Sequence, residues 1–367
     1  MDPDVALELV KHGATILLLD VPHNTFLGID SQTFSVGCNF KGIKMIPPGP
    51  HFLYYSSSNN DVDFSPVTGF FLQAIASEIF VRKWDLKEER FIKVEEEEVS
   101  KVHDFKMFMN VYISLIKENR YRLAVSSFEF DRHLGPYNLA QYKQWNMLSS
   151  YLTKELIERI EPTGGDITVA VEGDGVLKRV SNYTSIPRVM KNKAANFEEL
   201  TSMNIDKTKL LESILSTDFN GSEDLLLGEL QFAFIAFLMG QSLEAFLQWK
   251  SLVCLLLGCT KAPLETRSKL FTKFIQAMYY QLRFGLQRES DTCGVFDEMW
   301  LANDSVLCNL FKEFILMVGE ASVIDGDLLL WTRKLRRLVE KSFGWKIERN
   351  CFEDDEVKLS VIYEFFV

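Results

Sequence analysis

Cysteine, histidine, long apolar runs and net positive charge are all scarce in this chain of 367 residues, and each scarcity excludes something. The six cysteines are scattered, at Cys38, Cys254, Cys259, Cys293, Cys308 and Cys351, with no C-x-x-C pair. That argues against a disulfide framework or a zinc ribbon and points to a reduced intracellular setting. Three of them lie in apolar helical stretches, where free cysteine behaves as a small hydrophobe. The five histidines, His12, His23, His51, His103 and His133, share no metal-ligand spacing with one another or with the cysteines. They read as surface or turn histidines. No phosphate-binding loop, nucleophile elbow, H-E-x-x-H or calcium-loop pattern occurs. The G-x-G of Gly173 and Gly175 has no glycine-started helix after it. A net charge of −11 argues against a dedicated nucleic-acid binder, which needs a concentrated basic face. The start, MDPDVALELVKHG, carries two acids ahead of a short apolar patch, the opposite of a basic signal-peptide start.

What the chain does have is ordinary globular composition, 47% hydrophobic and 25% charged, at a length that suits two or three domains. Its most apolar stretch is residues 228–257, GELQFAFIAFLMGQSLEAFLQWKSLVCLLL. Residues 232–239 are apolar without exception, so a helix there has no polar face. Spanning a bilayer takes about 20 such residues. Here Glu229 and Gln231 interrupt on one side, and Gln241, Glu244, Gln248 and Lys250 on the other. The reading is a buried central helix closed near Gly240, then a half-buried one.

Residues 1–94 read as β-rich after a short helix at 2–10. Strand candidates lie at 14–21, 26–29, 34–36, 42–46, 52–55, 69–75 and 79–84, short and separated by Gly, Pro, Asn and Ser clusters. That pattern predicts an antiparallel sandwich or meander. PPGP at 47–50 reads as a turn. The glutamate run 95–98 precedes a predicted helix at 99–118; 127–135 reads as a link and 139–160 as a second helix. Trp145, Trp249 and Trp331 read as core residues. Downstream, 207–215 is a short helix, Ser222 an N-cap for the central helix, and Pro263 stands near the start of a helix running to about 286. Helices at 305–318 and 327–343 follow, the last closed by Gly344. The expected division is an N-terminal β-rich domain with two helices at 1–160, a flexible linker at 161–205, an all-α domain at 206–345 and a tail at 346–367. In the tail Val357, Leu359, Val361, Tyr363 and Phe365 alternate with their neighbours, as in an extended strand. Such a strand pairs within the protein or adds to a sheet on another molecule.

Three blocks carry a resemblance. They are GATILLLDVPHNTFLGIDSQTFSVGCNFKGIKMIPPGPHFLYYSS at 13–57, LGPYNLAQYKQW at 134–145 and LGELQFAFIAFLMGQSLEAFLQWKSLVCLL at 227–256. In order and spacing the chain resembles the Aar-two splicing factor family over about residues 5–345. The resemblance implies an α+β multidomain protein: a β-sandwich-like domain with appended helices, a linker, and an all-α, VHS-like domain. It also implies a non-enzymatic assembly factor of the U5 small nuclear ribonucleoprotein, without cofactor or metal. Such a factor binds the Prp-eight scaffold through its RNase H-like and Jab/MPN-like domains in the cytoplasmic precursor and keeps a helicase off it until release in the nucleus. Direct nucleic-acid or membrane binding is not expected. The tail alternation at Val357, Leu359, Val361, Tyr363 and Phe365 would suit strand addition at the scaffold, although the family match there is by alternation alone. A helical adaptor in another intracellular complex is the alternative, and converging polar groups around His51 or His133 would be the mark of an enzyme.

Overall fold

A computed structural model describes residues 9, 11–56, 67–93, 131–161, 167–168, 181–187, 206–288 and 306–347. The chain divides into two compact units, Met1–Asn182 with Ile235–Phe246, and Tyr183–Phe234 with Leu247–Val367. The fold class is α+β, with strands in the N-terminal region and helices after it.

The described residues of the first unit hold ten strands: β1 Ala14–Leu19, β2 Phe26–Ile29, β3 Gln32–Ser35, β4 Gly42–Ile46, β5 Gly49–Ser56, β6 Thr68–Ala74, β7 Ile79–Asp85, β8 Arg90–Lys93, β9 Leu134–Pro136 and β10 Ile167–Thr168. They form two five-stranded sheets, ordered β8-β7-β1-β4-β9 and β10-β6-β5-β2-β3. The second sheet is antiparallel throughout, as the strand pattern predicts. The first is mixed, because β1 runs parallel to β7 and β4 parallel to β9. Alternation records burial and not strand direction, so the sequence pattern could not give this. What ATILLL at β1 does record is burial of all six residues, as expected of a strand covered on both faces. Ala14, Ile16 and Leu18 face a core shared with Leu27, Ile29, Leu53, Tyr55 and Phe70 of the other sheet. Leu17 and Leu19 turn the other way, onto Val81 and Leu134.

The turn at 47–50 is shorter than PPGP suggests. Only Pro47 and Pro48 connect the strands; Gly49, at φ 134°, and Pro50 already pair with β6. The reading of 127–135 as a link also fails in part, since a 3-10 turn at Asp131–His133 feeds β9. Nor is 139–160 one helix. It is α1 Leu139–Ser149 and α2 Lys154–Ile160, because Thr153 is extended and its side chain caps the Leu156 amide.

The second unit is helical: α3 Thr208–Asp218, α4 Glu223–Leu238, α5 Leu243–Leu257, α6 Ser268–Arg288, α7 Val306–Glu320 and α8 Gly326–Phe343, with the ends of α4 and α5 at 235–246 grouping with the first. Ser222 caps α4 through the Leu225 amide, and Gly344, at φ 64°, closes α8. The helix expected from Pro263 onward is broken at Arg267, whose amide donates to Ala262 and so makes a π-helical turn at Ala262–Thr266 before α6. The Arg267 guanidinium then reaches Glu212 on α3 and Glu223 on α4, at 2.7 and 2.8 Å. No helix among the described residues is long and apolar enough to cross a membrane.

Of the expected helix at 2–10 only Leu9 is described, and it is helical; the expected helix at 99–118, the Gly173–Gly175 motif and the tail residues Val357, Leu359, Val361, Tyr363 and Phe365 lie outside the described residues.

Candidate functional site

The two-residue turn between β2 and β3 begins at Asp30, which sits at a left-handed φ of 55°. Aspartate tolerates that conformation, and it aims the carboxylate inward beneath β5. There Asp30 Oδ2 lies 2.6 Å from His51 Nδ1, and Oδ1 accepts from the Phe52 amide at 2.9 Å. The Tyr137 hydroxyl donates to Oδ2 at 2.6 Å. On the far side of the ring, His51 Nε2 is 2.7 Å from the Pro47 carbonyl. A carbonyl only accepts, so Nε2 carries a proton, and with Asp30 ionised Nδ1 donates as well, which makes the pair an imidazolium and a carboxylate. Burial acts to lower the His51 pKa, but the charge and hydrogen bond of Asp30 and the bond to Pro47 outweigh it, and the pKa is raised. The ring stacks 6.4 Å from Trp145 and from Tyr142 of α1. Trp145 Nε1 in turn donates to the Pro50 carbonyl at 2.8 Å.

His51 and Asp30 are both 0% exposed, so the expectation of a surface or turn histidine at position 51 is corrected. A His–Asp–Tyr set invites comparison with catalytic machinery. Here, however, each ring nitrogen is taken up by a protein acceptor, and neither His51 nor Asp30 reaches the surface. The chemistry open to it is structural. It ties the β2–β3 turn, the Pro47–Pro48 corner and the start of α1 into one unit. Burial and the Asp30 charge hold the Tyr137 phenol well above its ordinary range, so it donates and does not ionise.

A second buried network lies in the helical unit. Glu229 and Gln231, which interrupt the apolar run ahead of residue 232, are 0% and 1% exposed. The Glu229 carboxylate is satisfied locally. Thr184 donates its amide to Oε1 and its hydroxyl to Oε2, both at 2.8 Å, and Gln248 Nε2 donates to Oε1 at 2.7 Å. Gln248 also donates to the Thr184 carbonyl at 2.9 Å. These donors offset the cost of burying the carboxylate. The result pins the strap 181–187 onto α4 and α5, with Tyr183 edge-on to Phe232 at 6.0 Å.

Among the described residues no group of three or more His, Cys, Asp or Glu could hold a metal. Trp145 and Trp249 are core residues as expected, and Trp331 is half-buried. The residues that reasoning from motifs missed are Asp30, Tyr137, Thr184, Glu229 and Gln248. Their signal lay in the resemblance blocks. Asp30 closes FLGID, His51 opens HFLYYSS, and Tyr137, Tyr142 and Trp145 come from LGPYNLAQYKQW. Glu229 and Gln248 stand in the apolar block at 227–256, and only Thr184 falls outside all three.

Comparison with known proteins follows the same division. Residues 12–162 match the family model for the AAR2 N-terminal domain, and 183–348 match the AAR2 C-terminal repeat region. A protein from Homo sapiens called Protein AAR2 homolog is 30% identical over 385 aligned positions, covering 94% of this chain and 93% of that one. The Caenorhabditis elegans protein of the same name is 26% identical, covering 96% and 99%. A Saccharomyces cerevisiae protein called A1 cistron-splicing factor AAR2 is 22% identical, covering 76% and 79%. With the two models spanning the strand-rich and helical regions in turn, and a relative 30% identical along nearly the whole length, the chain belongs to the AAR2 family.

Proposed function

We propose that this protein is a non-enzymatic splicing factor that binds the Prp-eight scaffold in the cytoplasmic U5 precursor particle and excludes the helicase until release in the nucleus. The observation that carries the reading is family membership along 94% of the chain, with a yeast relative named as a splicing factor. The buried networks support it from the chemical side. Among the described residues, the His51–Asp30 pair is consumed in holding the fold. Exclusion by occupancy needs a persistent interface, on the order of 1,600 Å² of total buried area. It also needs a way to let go. Two domains on a connector gain avidity from effective concentration, and loss of one contact weakens the whole sharply. The tail strand through Val357, Leu359, Val361, Tyr363 and Phe365 would be the detachable contact, adding to a sheet edge of the scaffold.

The test is capture of the scaffold's isolated RNase H-like and Jab/MPN-like domains by the full chain, with and without the helicase as competitor. Mutual exclusion is expected. Simultaneous binding of both, or no capture, would overturn the reading. Deleting the residues after Asp355 should weaken capture about tenfold, or ~1.4 kcal/mol; unchanged affinity would remove the tail from the mechanism.

A further inference from the structure

The outer face of the first sheet, turned away from the second, is apolar and buried. Along β1 the alternate residues Thr15, Leu17 and Leu19 point to that side and are 8%, 0% and 8% exposed. The cluster that Leu17 and Leu19 form with Val81 of β7 and Leu134 of β9 takes in, among the described residues, only Ile79 besides, and all five belong to this sheet. Side chains standing next to one another on one sheet do not bring Leu17 to zero exposure. That takes a second layer over them.

The path of the chain supplies such a layer. β8 and β9 are the two edges of this sheet, with β7, β1 and β4 between them. β8 opposes β7, β7 runs with β1, β1 opposes β4 and β4 runs with β9, so the two edge strands are parallel. The chain leaves β8 at Lys93 and returns at the Asp131–His133 turn that feeds β9. It therefore crosses four strand spacings, about 19 Å, and also travels the length of the sheet, because parallel strands are joined by a crossover. The inner face is closed to that path, since Ile16, Leu18 and Ile43 pack there on Leu27, Leu53 and Phe70 of the other sheet. The outer face is left.

Residues 94–130, outside the described residues, contain the helix expected at 99–118. Twenty helical residues span about 30 Å, enough for the crossing. On such a helix His103, Lys106, Asn110, Ser114 and Lys117 fall three or four residues apart in one polar stripe. Phe105, Phe108, Tyr112, Leu115 and Ile116 fall opposite it. We infer that the outer face of the first sheet is a docking surface for residues 99–118 of this same chain. The side that carries Phe108 and Tyr112 is set on Leu17, Val81 and Leu134, and the stripe from His103 to Lys117 is turned outward. Covered in this way, the face is not open to a partner protein, and the inference stands independently of the scaffold reading.

The test is photocrosslinking in the full chain, with benzoylphenylalanine in place of Phe108 or, in a second protein, of Asn110. Peptides joined to position 108 should carry residues of β1, β7 or β9, and position 110 should give none of these. Failure of position 108 to reach the sheet, crosslinks between two copies, or equal yields on the sheet from both positions would overturn the inference. Hydrogen exchange gives a second reading. Tyr112→Asp should speed exchange of the amides at 15–19 at least tenfold, while Asn110→Asp should leave it within threefold. Equal effects of the two substitutions would count against the docked face, and the crosslinks decide the matter should Tyr112→Asp unfold the unit.

Discussion

Replacing Asp30 with Asn isolates the electrostatics of the buried His51 network. Asparagine accepts the same left-handed backbone at φ 55°, and its volume is nearly that of aspartate. Its amide nitrogen, however, is a donor set against donors that the carboxylate accepted: His51 Nδ1 and the Tyr137 hydroxyl, each at 2.6 Å. The imidazolium loses its counter-charge at a site 0% exposed. Breaking one side of a buried ion pair costs about 3–5 kcal/mol. At about 2–4 °C per kcal/mol for a unit of this size, the melting temperature should fall by roughly 6–20 °C. The pH dependence identifies the cause. His51 has its pKa raised in the folded state, so its contribution is complete below the unfolded value of about 6.5. It is lost as pH rises through the folded value, because the unfolded chain gives up its proton first. The slope is at most about 1.4 kcal/mol per pH unit. Asp30→Asn should abolish that slope. The assay is urea unfolding across neutral pH, with hydrogen exchange at the β5 amides reporting the site directly. Parallel pH profiles for the two proteins, or a loss under about 1 kcal/mol, would refute the ion-pair account.

Other perturbations test the remaining architecture. Thr184→Val deletes the hydroxyl donated to the buried Glu229 carboxylate at Oε2. It should cost about 1–3 kcal/mol and speed exchange of the amides at 181–187, whereas Thr184→Ser should retain most of the protection. Gly28→Ala would put a Cβ 2.2–2.6 Å from ring carbons of the buried Tyr54. Overpacking of this kind costs about 1–3 kcal/mol, readable as a lower denaturation midpoint with an unchanged slope. Arg267→Met breaks ion pairs to Glu212 and Glu223 whose partners are 40% and 23% exposed. The loss should therefore stay near 1 kcal/mol and shrink in high salt.

Some of this was legible without coordinates. FLGI at β2 and GIKMI at β4 fall where β-branched and apolar spacing between turn residues places them. ATILLL, a strand candidate in sequence, is a strand with all six residues buried. FAFIAFLM, apolar on every side, is core for the same reason: no polar face was left for water. Boundaries failed where a single hydrogen bond decides them, as at Thr153, whose side chain caps α2, and at Arg267, whose backbone amide shifts to a π-type bond. Periodicity averages over turns and is blind to one hydrogen bond.

The sequence by itself determined the α+β class, most of the strands and helices, and the family. These depend on local apolar spacing and on long blocks of residues that survive reading in one dimension. Only the tertiary structure decided what the polar residues inside those blocks do. Asp30, His51 and Tyr137 lie up to 107 positions apart, and Thr184 is 45 from Glu229. Whether a carboxylate in a sequence meets water or a ring of donors depends on which distant segments fold over it.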